Sequence, residues 1–475
     1  MSSQAISSDI PARLDRLPWS AWHWRVVIAL GVAWVLDGLE VTLVGSLGGM
    51  LERPDALGLS AAQVGWAGSA YIGGAVAGAL GFGRLADRLG RKRLFLMTLV
   101  VYLCATLATA ISFNFVTFAL CRFVTGIGIG GEYAAINSAI DELIPARVRG
   151  RVNLTINGSF WIGAAVGALL SLVLLDPRRF PPDAGWRIAF AAGALLAFAI
   201  MLVRRHVPES PRWLILHGRA SEAEREVARI EAAIARTNGP LAAPSRRLSI
   251  TPRQLPSWRE IANVLLKRYP GRTFFVMALM VSQAFFYNAI FFTYALVLTR
   301  FEGVADTDVG LYILPFAAAN FLGPLILGPL FDRYGRRRMI AITFVLSGAG
   351  LLFTGFGFTR GWLDAMSQTL CWSGVFFLAS AAASSAYLSA SEIFPLEMRA
   401  VAISIFYAAG TGTGGFVAPA LLGVLIETGN RNAVFAGYAI GALLVIAAGF
   451  IALRFGVDAE RKSLEDITPP LGAGA

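Results

Sequence analysis

Four ionisable side chains lie inside long apolar runs of the sequence, where charge is costly. They are Asp37, Glu40, Arg122 and Glu132. An ionised side chain at the centre of a bilayer costs about 2.5–3.5 kcal/mol on the insertion scale unless it is paired or faces water. Asp37 and Glu40 are three residues apart and therefore share one face of a helix. These four residues are the first candidates for a functional site.

Polar side chains also occur in the run SQAFFYNAIFFTY at 282–294. Gln283 and Asn288 carry amides, which are costly in a membrane unless they are hydrogen-bonded or wet. We favour the interpretation that they line a water-filled cavity, and hydrogen bonding between helices is the alternative. Tyr287, from the same run, could hold or gate a bound molecule or pack against a neighbour.

The composition indicates that these residues are positioned by membrane helices. Apolar residues make up 56% of the 475 residues and charged residues only 15%, unlike the composition of a soluble domain. A spanning helix needs about 20 largely apolar residues, and the sequence contains twelve such runs. They centre on 26–50, 61–82, 94–112, 115–138, 152–175, 187–204, 273–299, 309–330, 339–358, 364–390, 400–426 and 433–454.

The twelve runs predict an all-α membrane protein, with six runs on each side of a polar stretch. The predicted parts are an N-terminal segment 1–25, a first six-helix bundle 26–205, a linker 206–271, a second six-helix bundle 272–455 and a C-terminal tail 456–475.

The linker contains SEAEREVARIEAAIAR, which has the pattern of an amphipathic helix. Ser221 and Glu224 have the spacing of a capping box. Val227, Ile230 and Ile234 follow at helical spacing. We expect this helix to lie on the bundle or the lipid surface, and a solvated linker helix is the alternative.

The charge balance is a signal of orientation. The chain carries 41 lysines and arginines and a formal charge of +11, which on a soluble chain would suggest nucleic acid. Most of these residues fall in loops on one side of the membrane, and positive loops stay in the cytoplasm. The sequence therefore predicts cytoplasmic N- and C-termini and no nucleic-acid partner. The three cysteines all lie in apolar runs, and we expect no metal and no cofactor.

Two nearly identical charged clusters occupy the same place in each half. GRLADRLGRKR at 83–93 follows the second run, and GPLFDRYGRRR at 328–338 follows the eighth. A second pair of repeats, at 142–150 and 392–400, follows the fourth and tenth runs. The repeats indicate an internal duplication, which is typical of transporters that bind cargo between two halves.

The clusters can hold helices together, because their arginines can pair with nearby acids and with carbonyls at helix ends. Gly83, Gly90 and Gly335 are expected to allow tight turns. The alternative is that the arginines only anchor the chain at the membrane surface.

The pattern G-x-L-x-D-R-x-G-R-[KR]-R and its second copy resemble the signature of the major facilitator superfamily, over essentially the whole chain. PESPRWL at 208–214 and EIFP at 392–395 resemble the sugar porter branch. DGLE at 37–40 resembles aromatic-acid:proton symporters, and GIGIGGEY at 126–133 resembles metabolite:proton symporters.

This resemblance implies two pseudo-symmetric six-helix bundles that rock around a midplane site, and a cytoplasmic latch that breaks and reforms. The implied latch residues are Gly83, Asp87, Arg88, Gly90, Arg91, Glu142, Arg149, Asp332, Arg333, Gly335, Arg336, Glu392 and Arg399.

The resemblance also gives the buried charges a role. GLEVTLVGS, which contains Glu40, resembles the first-helix pattern of sugar porters, in which an acid takes the proton and pairs with the arginine of R-x-x-x-G-x-G-x-G on helix four. That arginine is Arg122 here. A carboxylate beside an arginine stays ionised until the pair is loosened, so the pair can couple a proton to a conformational change. Asp37 and Glu132 are the alternative proton carriers.

The substrate residues follow from the same resemblance. Gln283 and Asn288 match the spacing of a sugar porter segment on helix seven, Asn157 occupies a helix-five glutamine position, and Tyr387 lies where a helix-ten tryptophan motif is replaced. Several amides that hold sugar hydroxyls are missing, so an aromatic or carboxylated metabolite fits better than glucose. The predicted substrate-binding residues are Asn157, Gln283, Tyr287, Asn288 and Tyr387.

We therefore predict a proton-coupled symporter of a small organic metabolite, working as a monomer in a bacterial inner membrane. Its expected partners are that metabolite, protons and the lipid bilayer. An exporter of hydrophobic compounds and a nutrient sensor on the same scaffold are the alternatives. No triad, metal or paired-acid constellation indicates an enzyme.

Overall fold

The computed structural model of this chain is helical almost throughout. It describes residues 6–174, 176, 178–204, 208–244, 247–250, 256–291, 293–305 and 308–471. Within these residues, eleven helices are long and apolar enough to cross a membrane. The chain is therefore an integral, multi-pass membrane protein.

Among the residues that the structure describes, the first half and the linker contain twelve α-helices. In chain order they are α1 (Ile10–Asp15), α2 (Ala21–Ser46), α3 (Gly48–Glu52), α4 (Ala61–Leu89), α5 (Arg91–Ala110), α6 (Phe115–Leu143), α7 (Arg149–Gly158), α8 (Phe160–Leu174), α9 (Pro182–Arg204), α10 (Pro211–Leu216), α11 (Ala220–Asn238) and α12 (Trp258–Asn263).

The described part of the second half contains nine more. They are α13 (Pro270–Phe291), α14 (Tyr294–Glu302), α15 (Val309–Arg333), α16 (Arg336–Thr359), α17 (Ala365–Glu392), α18 (Arg399–Gly410), α19 (Phe416–Glu427), α20 (Arg431–Phe455) and α21 (Leu464–Ile467). Short 3-10 turns at Ala146–Val148 and Leu396–Met398 precede α7 and α18, and π-turns lie at Val264–Arg268 and Thr411–Gly415.

One of the twelve predicted spans, α4, is not among the eleven apolar helices. Its 29 residues are rich in glycine, which lowers its mean hydropathy. The glycines let α4 pack closely against α6: a Cβ added at Gly74 or Gly130 would overlap the backbone of the facing helix. The glycines of GIGIGG therefore serve helix packing.

The two halves meet through contacts that repeat under the internal symmetry. Helix α15, the eighth span, packs against α7 and α8, which form the fifth span. Helix α4, the second span, packs in the same way against α18, which begins the eleventh. Each half therefore packs one long helix against the other half. A central cavity lies between these two contacts.

The linker and the N-terminal segment form a small layer under one end of the bundles. Ala223, Val227, Ile230 and Ile234 of α11 are buried against α1 and α10, so the apolar face of the helix lies on protein. The predicted capping box is wrong: α11 begins at Ala220 with Arg219 at its N-cap and no side-chain cap bond.

The all-α prediction also misses one short pair of strands. Strand β1 (Ile6–Ser8) pairs antiparallel with β2 (Leu248–Ile250), with Ile6 opposite Ile250. The pair joins the start of the chain to the linker.

Candidate functional site

A cavity of about 740 Å³ lies between the two halves. Residues of α2, α4, α6, α7 and α8 line one side, and residues of α13, α17, α18 and α19 line the other. At one end the cavity reaches Leu51, Val64 and Trp66, at the α3 to α4 connection. We call this end the open face, and the opposite end, which holds the charged clusters, the latch face.

The wall of the cavity is rich in aromatic rings and contains few charges. Its aromatic residues are Trp34, Trp66, Tyr71, Phe118, Tyr133, Phe160, Trp161, Tyr287, Phe291, Tyr387, Tyr407 and Phe416. A small set of polar groups interrupts them. This combination suits a planar, largely apolar molecule that carries a few polar atoms.

Four of these rings close the cavity toward the latch face. Trp34 and Tyr133 come from the first half, and Tyr387 and Tyr407 come from the second. Their centroids are 4.6 Å apart for Trp34 and Tyr133, 4.6 Å for Tyr133 and Tyr407, and 5.9 Å for Trp34 and Tyr387. This layer, the aromatic floor, joins the two halves and must separate if the cavity is to open on the other side.

All five predicted substrate-binding residues line the cavity. Asn157 stands on one side of it, and Gln283, Tyr287, Asn288 and Tyr387 stand on the other. The Tyr287 hydroxyl donates to Asn320 Oδ1 at 2.8 Å, and Asn288 Nδ2 donates to the Ala284 carbonyl at 2.6 Å. Their contact with a substrate stays a prediction.

Two residues that the sequence did not single out, Asn137 and Asn153, orient Asn157. A backbone carbonyl can only accept, so the atom 2.8 Å from the Asn153 carbonyl oxygen is Asn157 Nδ2. That nitrogen also donates to Asn153 Oδ1 at 2.9 Å and to Asn137 Oδ1 at 3.2 Å. Asn157 Oδ1 has no hydrogen-bond partner within the described part of the chain. It is a fixed acceptor in a residue of the cavity wall.

The buried pair of opposite charge stands behind this wall. Arg122 of α6 contacts Glu40 of α2 through Nη1 and Oε1. Arg122 is 1% exposed and Glu40 is 3% exposed, and Arg122 also lines the cavity. The ring of Tyr71 lies 4.7 Å from the guanidinium carbon, which adds a cation–π contact. The pair that the sequence predicts is formed, and its role in coupling stays a prediction.

Asp37 is held differently from Glu40. It accepts a hydrogen bond from the Tyr71 hydroxyl at 3.1 Å and a short one from the Tyr133 hydroxyl. Tyr133 belongs to the aromatic floor, so Asp37 is tied to the layer that closes the cavity. Glu132 is buried on α6 beside Tyr133, but it does not line the cavity.

The latch face contains a buried network of arginines and acids in each half. In the first half, Arg91 Nη2 lies 3.1 Å from Asp87 Oδ1 and 2.7 Å from Glu142 Oε1. In the second half, Arg336 lies 2.8 Å from Asp332 Oδ1 and 3.0 Å from Glu392 Oε2. Arg149 reaches Glu392 at 3.6 Å and Arg399 reaches Glu142 at 3.8 Å, so these two pairs cross between the halves.

The two aspartates make the closest links between the halves. Asp332 of α15 accepts from the backbone N–H groups of Gly150 at 3.0 Å and Arg151 at 2.8 Å, at the start of α7. Asp87 of α4 accepts from the N–H of Val401 at 3.2 Å, at the start of α18. Each carboxylate therefore caps a helix of the other half, where a negative charge is favoured.

Three details of the predicted latch need correction. Arg88 and Arg333 are exposed. Each follows its aspartate by one residue, so its side chain points away from the buried face of the helix. That face carries Asp87 in one half and Asp332 in the other, each close to the buried arginine four residues later. Gly90 and Gly335 have φ of +94° and +100° and make the expected turns. Gly83 instead lies within α4, where a Cβ would overlap Ser404 of α18.

The linker and the tail add acids to the latch that sequence reasoning missed. Glu209 accepts from the N–H of Arg91 at 2.9 Å, and Glu460 accepts from the N–H of Arg336 at 3.4 Å. Burial raises the pKa of Glu209, and hydrogen bonds from Ser210 and Arg91 oppose that rise. Glu209 and Glu460 occupy matching places, each beside the turn glycine of its half. An alignment of the two halves could have revealed this match.

A second bridge joins both termini to the linker. Arg212 of α10 lies 3.0 Å from Asp15 Oδ2 and 3.2 Å from Glu465 Oε1. Burial acts to raise the pKa of Glu465, but the nearby Arg212 guanidinium and the Ser463 hydroxyl bring that pKa below its ordinary value. Within the described ranges, no group of His, Cys, Asp and Glu has the arrangement of a metal site.

Comparisons with known proteins agree with this architecture. The sequence pattern of the sugar (and other) transporter family matches residues 20–469. A niacin transporter of Acinetobacter baylyi is 29% identical over 97% of this chain and 99% of its own length. A 4-hydroxybenzoate transporter of the same organism is 26% identical over 95% of this chain and 94% of its own length.

Solved structures show the same fold. The proton:xylose symporter XylE bound to 6-bromo-6-deoxy-D-glucose superposes with a TM-score of 0.76 at 18% identity, covering 94% of this chain and 98% of that chain. The similar proteins are transporters of small organic molecules and not enzymes. The chain belongs to the sugar (and other) transporter family of the major facilitator superfamily, and it is a membrane transporter of small organic metabolites.

Proposed function

We propose that this chain is a proton-coupled importer of a small aromatic acid, working as a monomer in a bacterial inner membrane. The observation that carries the proposal is the buried Glu40–Arg122 pair at the wall of an aromatic cavity. The pair supplies a site for a proton, and the cavity supplies a site for a planar metabolite. Both halves of the cavity belong to one chain, so one copy is sufficient.

The charge pair supports coupling because its two states favour different arrangements. An ionised Glu40 holds Arg122, and a buried carboxylate that loses this partner is strongly destabilised. A protonated Glu40 releases Arg122, which also faces the cavity. Proton binding then frees a positive charge beside the cargo, which favours a carboxylate there.

The cavity wall supports an aromatic cargo. A wall of aromatic rings favours a planar ring over a flexible or strongly hydrated molecule. The wall also contains a few polar residues, among them Asn157, whose amide is held in one orientation by Asn153 and Asn137. The names of two similar proteins, the niacin and 4-hydroxybenzoate transporters, point to the same class of compound.

The distribution of charge supports an orientation of the chain in the membrane. The latch face holds the arginine clusters, and positive segments stay in the cytoplasm. We place the latch face and both termini in the cytoplasm, so that the open face meets the periplasm. In this arrangement the cavity is loaded from outside while the latch and the aromatic floor are closed.

Uptake by purified protein in liposomes tests the proposal. Labelled nicotinate and 4-hydroxybenzoate are the first cargoes, with and without an imposed pH gradient. We expect accumulation that requires an acidic exterior, and Glu40→Gln should abolish this accumulation while exchange of labelled for unlabelled cargo continues. The matched control is Glu302→Gln, since Glu302 also pairs with an arginine, Arg431, at 2.8 Å in the second half.

The results of this experiment test the coupling residue and the cargo class separately. Accumulation in Glu40→Gln that still follows the pH gradient would exclude Glu40 as the coupling acid. Uptake of xylose in preference to both aromatic acids would exclude the proposed cargo class.

A further inference from the structure

A second, much smaller cavity lies behind Glu40, on the side of α2 that faces α5 and α9. It is lined by Leu39, Glu40, Leu43, Leu47, Tyr102, Thr106, Ala189, Phe190 and Gly193. It leaves about 10 Å³ for the centre of a water molecule, which is close to the space that one bound water needs. None of its polar residues lines the large cavity.

Three polar atoms in this wall lack hydrogen-bond partners. Glu40 Oε2, the Tyr102 hydroxyl and the Thr106 hydroxyl make no hydrogen bond within the described part of the chain. All three side chains are at most 3% exposed. The Tyr102 hydroxyl lies near both Glu40 and Thr106, but outside hydrogen-bond geometry. Leaving such groups unpaired in a protein interior is unfavourable, and a water needs two to four polar partners.

We propose that this cavity binds one ordered water, which bridges Glu40 Oε2, Tyr102 and Thr106 and serves both protonation states of the carboxyl. When Glu40 is ionised, the water donates to Oε2 and accepts from a neighbouring hydroxyl. When Glu40 is protonated, its O–H donates to the water, and the hydroxyls rotate to accept from the water. Tyr102 and Thr106 are then positioning residues that act on Glu40 through the water.

The site gives Glu40 two separate contacts. Oε1 meets Arg122 on the side of the large cavity, and Oε2 faces the water. The other titratable and charged groups near Glu40 are Asp37 on α2, Tyr71 on α4 and Arg122 on α6. The water lets Oε2 keep a partner when Arg122 is released, so the protonated acid need not be left with an unpaired oxygen.

The residues that line the small cavity define the variants that test the water site. Tyr102→Phe and Thr106→Val each remove one partner of the water. Gly193→Ala removes none, but its methyl group would enter the cavity, and the space permits it because the nearest atom to an added Cβ is Thr106 Cγ2 at 3.9 Å. The controls are Tyr438→Phe, which removes an equally buried hydroxyl in the second half, and Gly374→Ala, where an added Cβ meets nothing within 4 Å.

Two measurements test the site, and the first rests on the proposed proton coupling. The external pH of half-maximal gradient-driven uptake should rise by about one pH unit in the three variants, because loss of a charge-assisted hydrogen bond disfavours the ionised acid. It should not move in the two controls. Equal midpoints in the wild type and all three variants would overturn the proposal.

The second measurement does not need transport. Infrared spectra in ordinary water and in water labelled with oxygen-18 should show the band of one internal water. That band should be absent in Gly193→Ala, shifted in Tyr102→Phe and unchanged in Gly374→Ala. A band that persists unchanged in Gly193→Ala, or no such band in the wild type, would overturn the water site. Wild-type uptake that ignores the pH gradient would instead overturn the proposed coupling, and the infrared result would still decide the water site.

Discussion

The two six-helix halves resemble each other at the latch face and differ in the middle of the membrane. Arg122 of the first half follows Cys121, and Trp372 of the second half follows Cys371, at the same offset as the repeats at 142–150 and 392–400. Arg122 pairs with Glu40. Trp372 is fully buried instead, with its ring 5.3 Å from Tyr294 and 5.8 Å from Tyr438.

This difference suggests how the work is divided between the halves. The first half places a charge pair where the second half places packed rings, so the proposed proton coupling would rest on the first half alone. The second half contributes Gln283, Tyr287 and Asn288 to the cavity, which are neutral polar groups suited to holding a cargo. A duplicated scaffold can therefore keep its latch symmetrical while its two midplane sites take separate roles.

The latch itself shows a smaller asymmetry with a clear physical reason. Asp332 receives hydrogen bonds from two backbone N–H groups at the start of α7, whereas Asp87 receives one from Val401 and a weaker contact from the N–H of Ala400 at the start of α18. Gly150 lies at the closer contact, and a Cβ there would overlap Asp332 Oδ1. The matching residue of the second repeat is Ala400, whose methyl group fills that space. The link made by Asp332 should thus be the stronger one.

The largest expected effect is that of Arg122→Ala, which removes the charge pair of the first half. It leaves Glu40 buried without its partner, which typically costs about 3–5 kcal/mol, and we expect both gradient-driven uptake and exchange to fall about 100-fold or more. Trp372→Phe, at the matching position, should lower uptake no more than about threefold, because it removes packing but no charge. Uptake and exchange in liposomes measure both.

A large loss of coupling in Trp372→Phe, with exchange intact, would contradict this division of roles. So would an Arg122→Ala protein that still accumulates its cargo in response to a pH gradient.

The second prediction concerns the strength of the two latch links. Asp332→Asn and Asp87→Asn each weaken hydrogen bonds to a charged group, which are worth about 1.5–3 kcal/mol each. We expect Asp332→Asn to lower turnover about tenfold and Asp87→Asn about threefold, with half-saturation changed by no more than about twofold in either. Initial rates of uptake over a range of cargo concentrations give both quantities.

Equal effects of the two variants would show that the extra N–H bond to Asp332 adds nothing. Raised half-saturation with unchanged turnover would contradict the latch role of both aspartates.

The sequence predicts those parts of the molecule that rest on local patterns. The spans follow from apolar runs, and the turns at Gly90 and Gly335 follow from motifs that each half repeats. The repeated motif also assigns Arg88 and Arg333 to the latch, although the structure shows both side chains exposed. The helical spacing of Asp87 and Arg91, four residues apart, already indicates that Arg88 points elsewhere.

Contacts between distant segments were not accessible in the same way. Asn137 and Asn153 orient Asn157 through side chains on two helices, and neither matches a motif. The bond between Asp332 and the start of α7 joins residues about 180 positions apart. Ser221 is not the N-cap of α11, for a different reason. The helix begins at Ala220, earlier than the capping pattern suggests, and the side chain of Arg219 pairs with Glu222 at 2.5 Å.

The smallest expected effect concerns the layer below the latch, where the N-terminal segment is tied to the linker helix α11. Arg13 donates to both carboxylate oxygens of Glu231 on α11, at 3.1 Å and 2.6 Å, and Arg16 contacts the same group. Burial opposes ionisation of Glu231, but these two arginines bring its pKa below the ordinary value of 4.5. Glu231→Gln should lower the melting temperature by about 2 °C or less at neutral pH.

The sign of the pH dependence makes this small effect testable. A carboxyl whose pKa is lower in the folded protein stabilises it above the unfolded value of 4.5, and this stabilisation is lost as the pH falls through the folded value. The difference in melting temperature between the wild type and Glu231→Gln should therefore be full at pH 7 and shrink below about pH 4.5. Glu226→Gln, which breaks a pair with Arg229 on the same helix, is the matched control, and it does not join α11 to α1. If both variants show the same pH dependence, the pair that joins α11 to α1 stabilises the protein no more than an ion pair within one helix does.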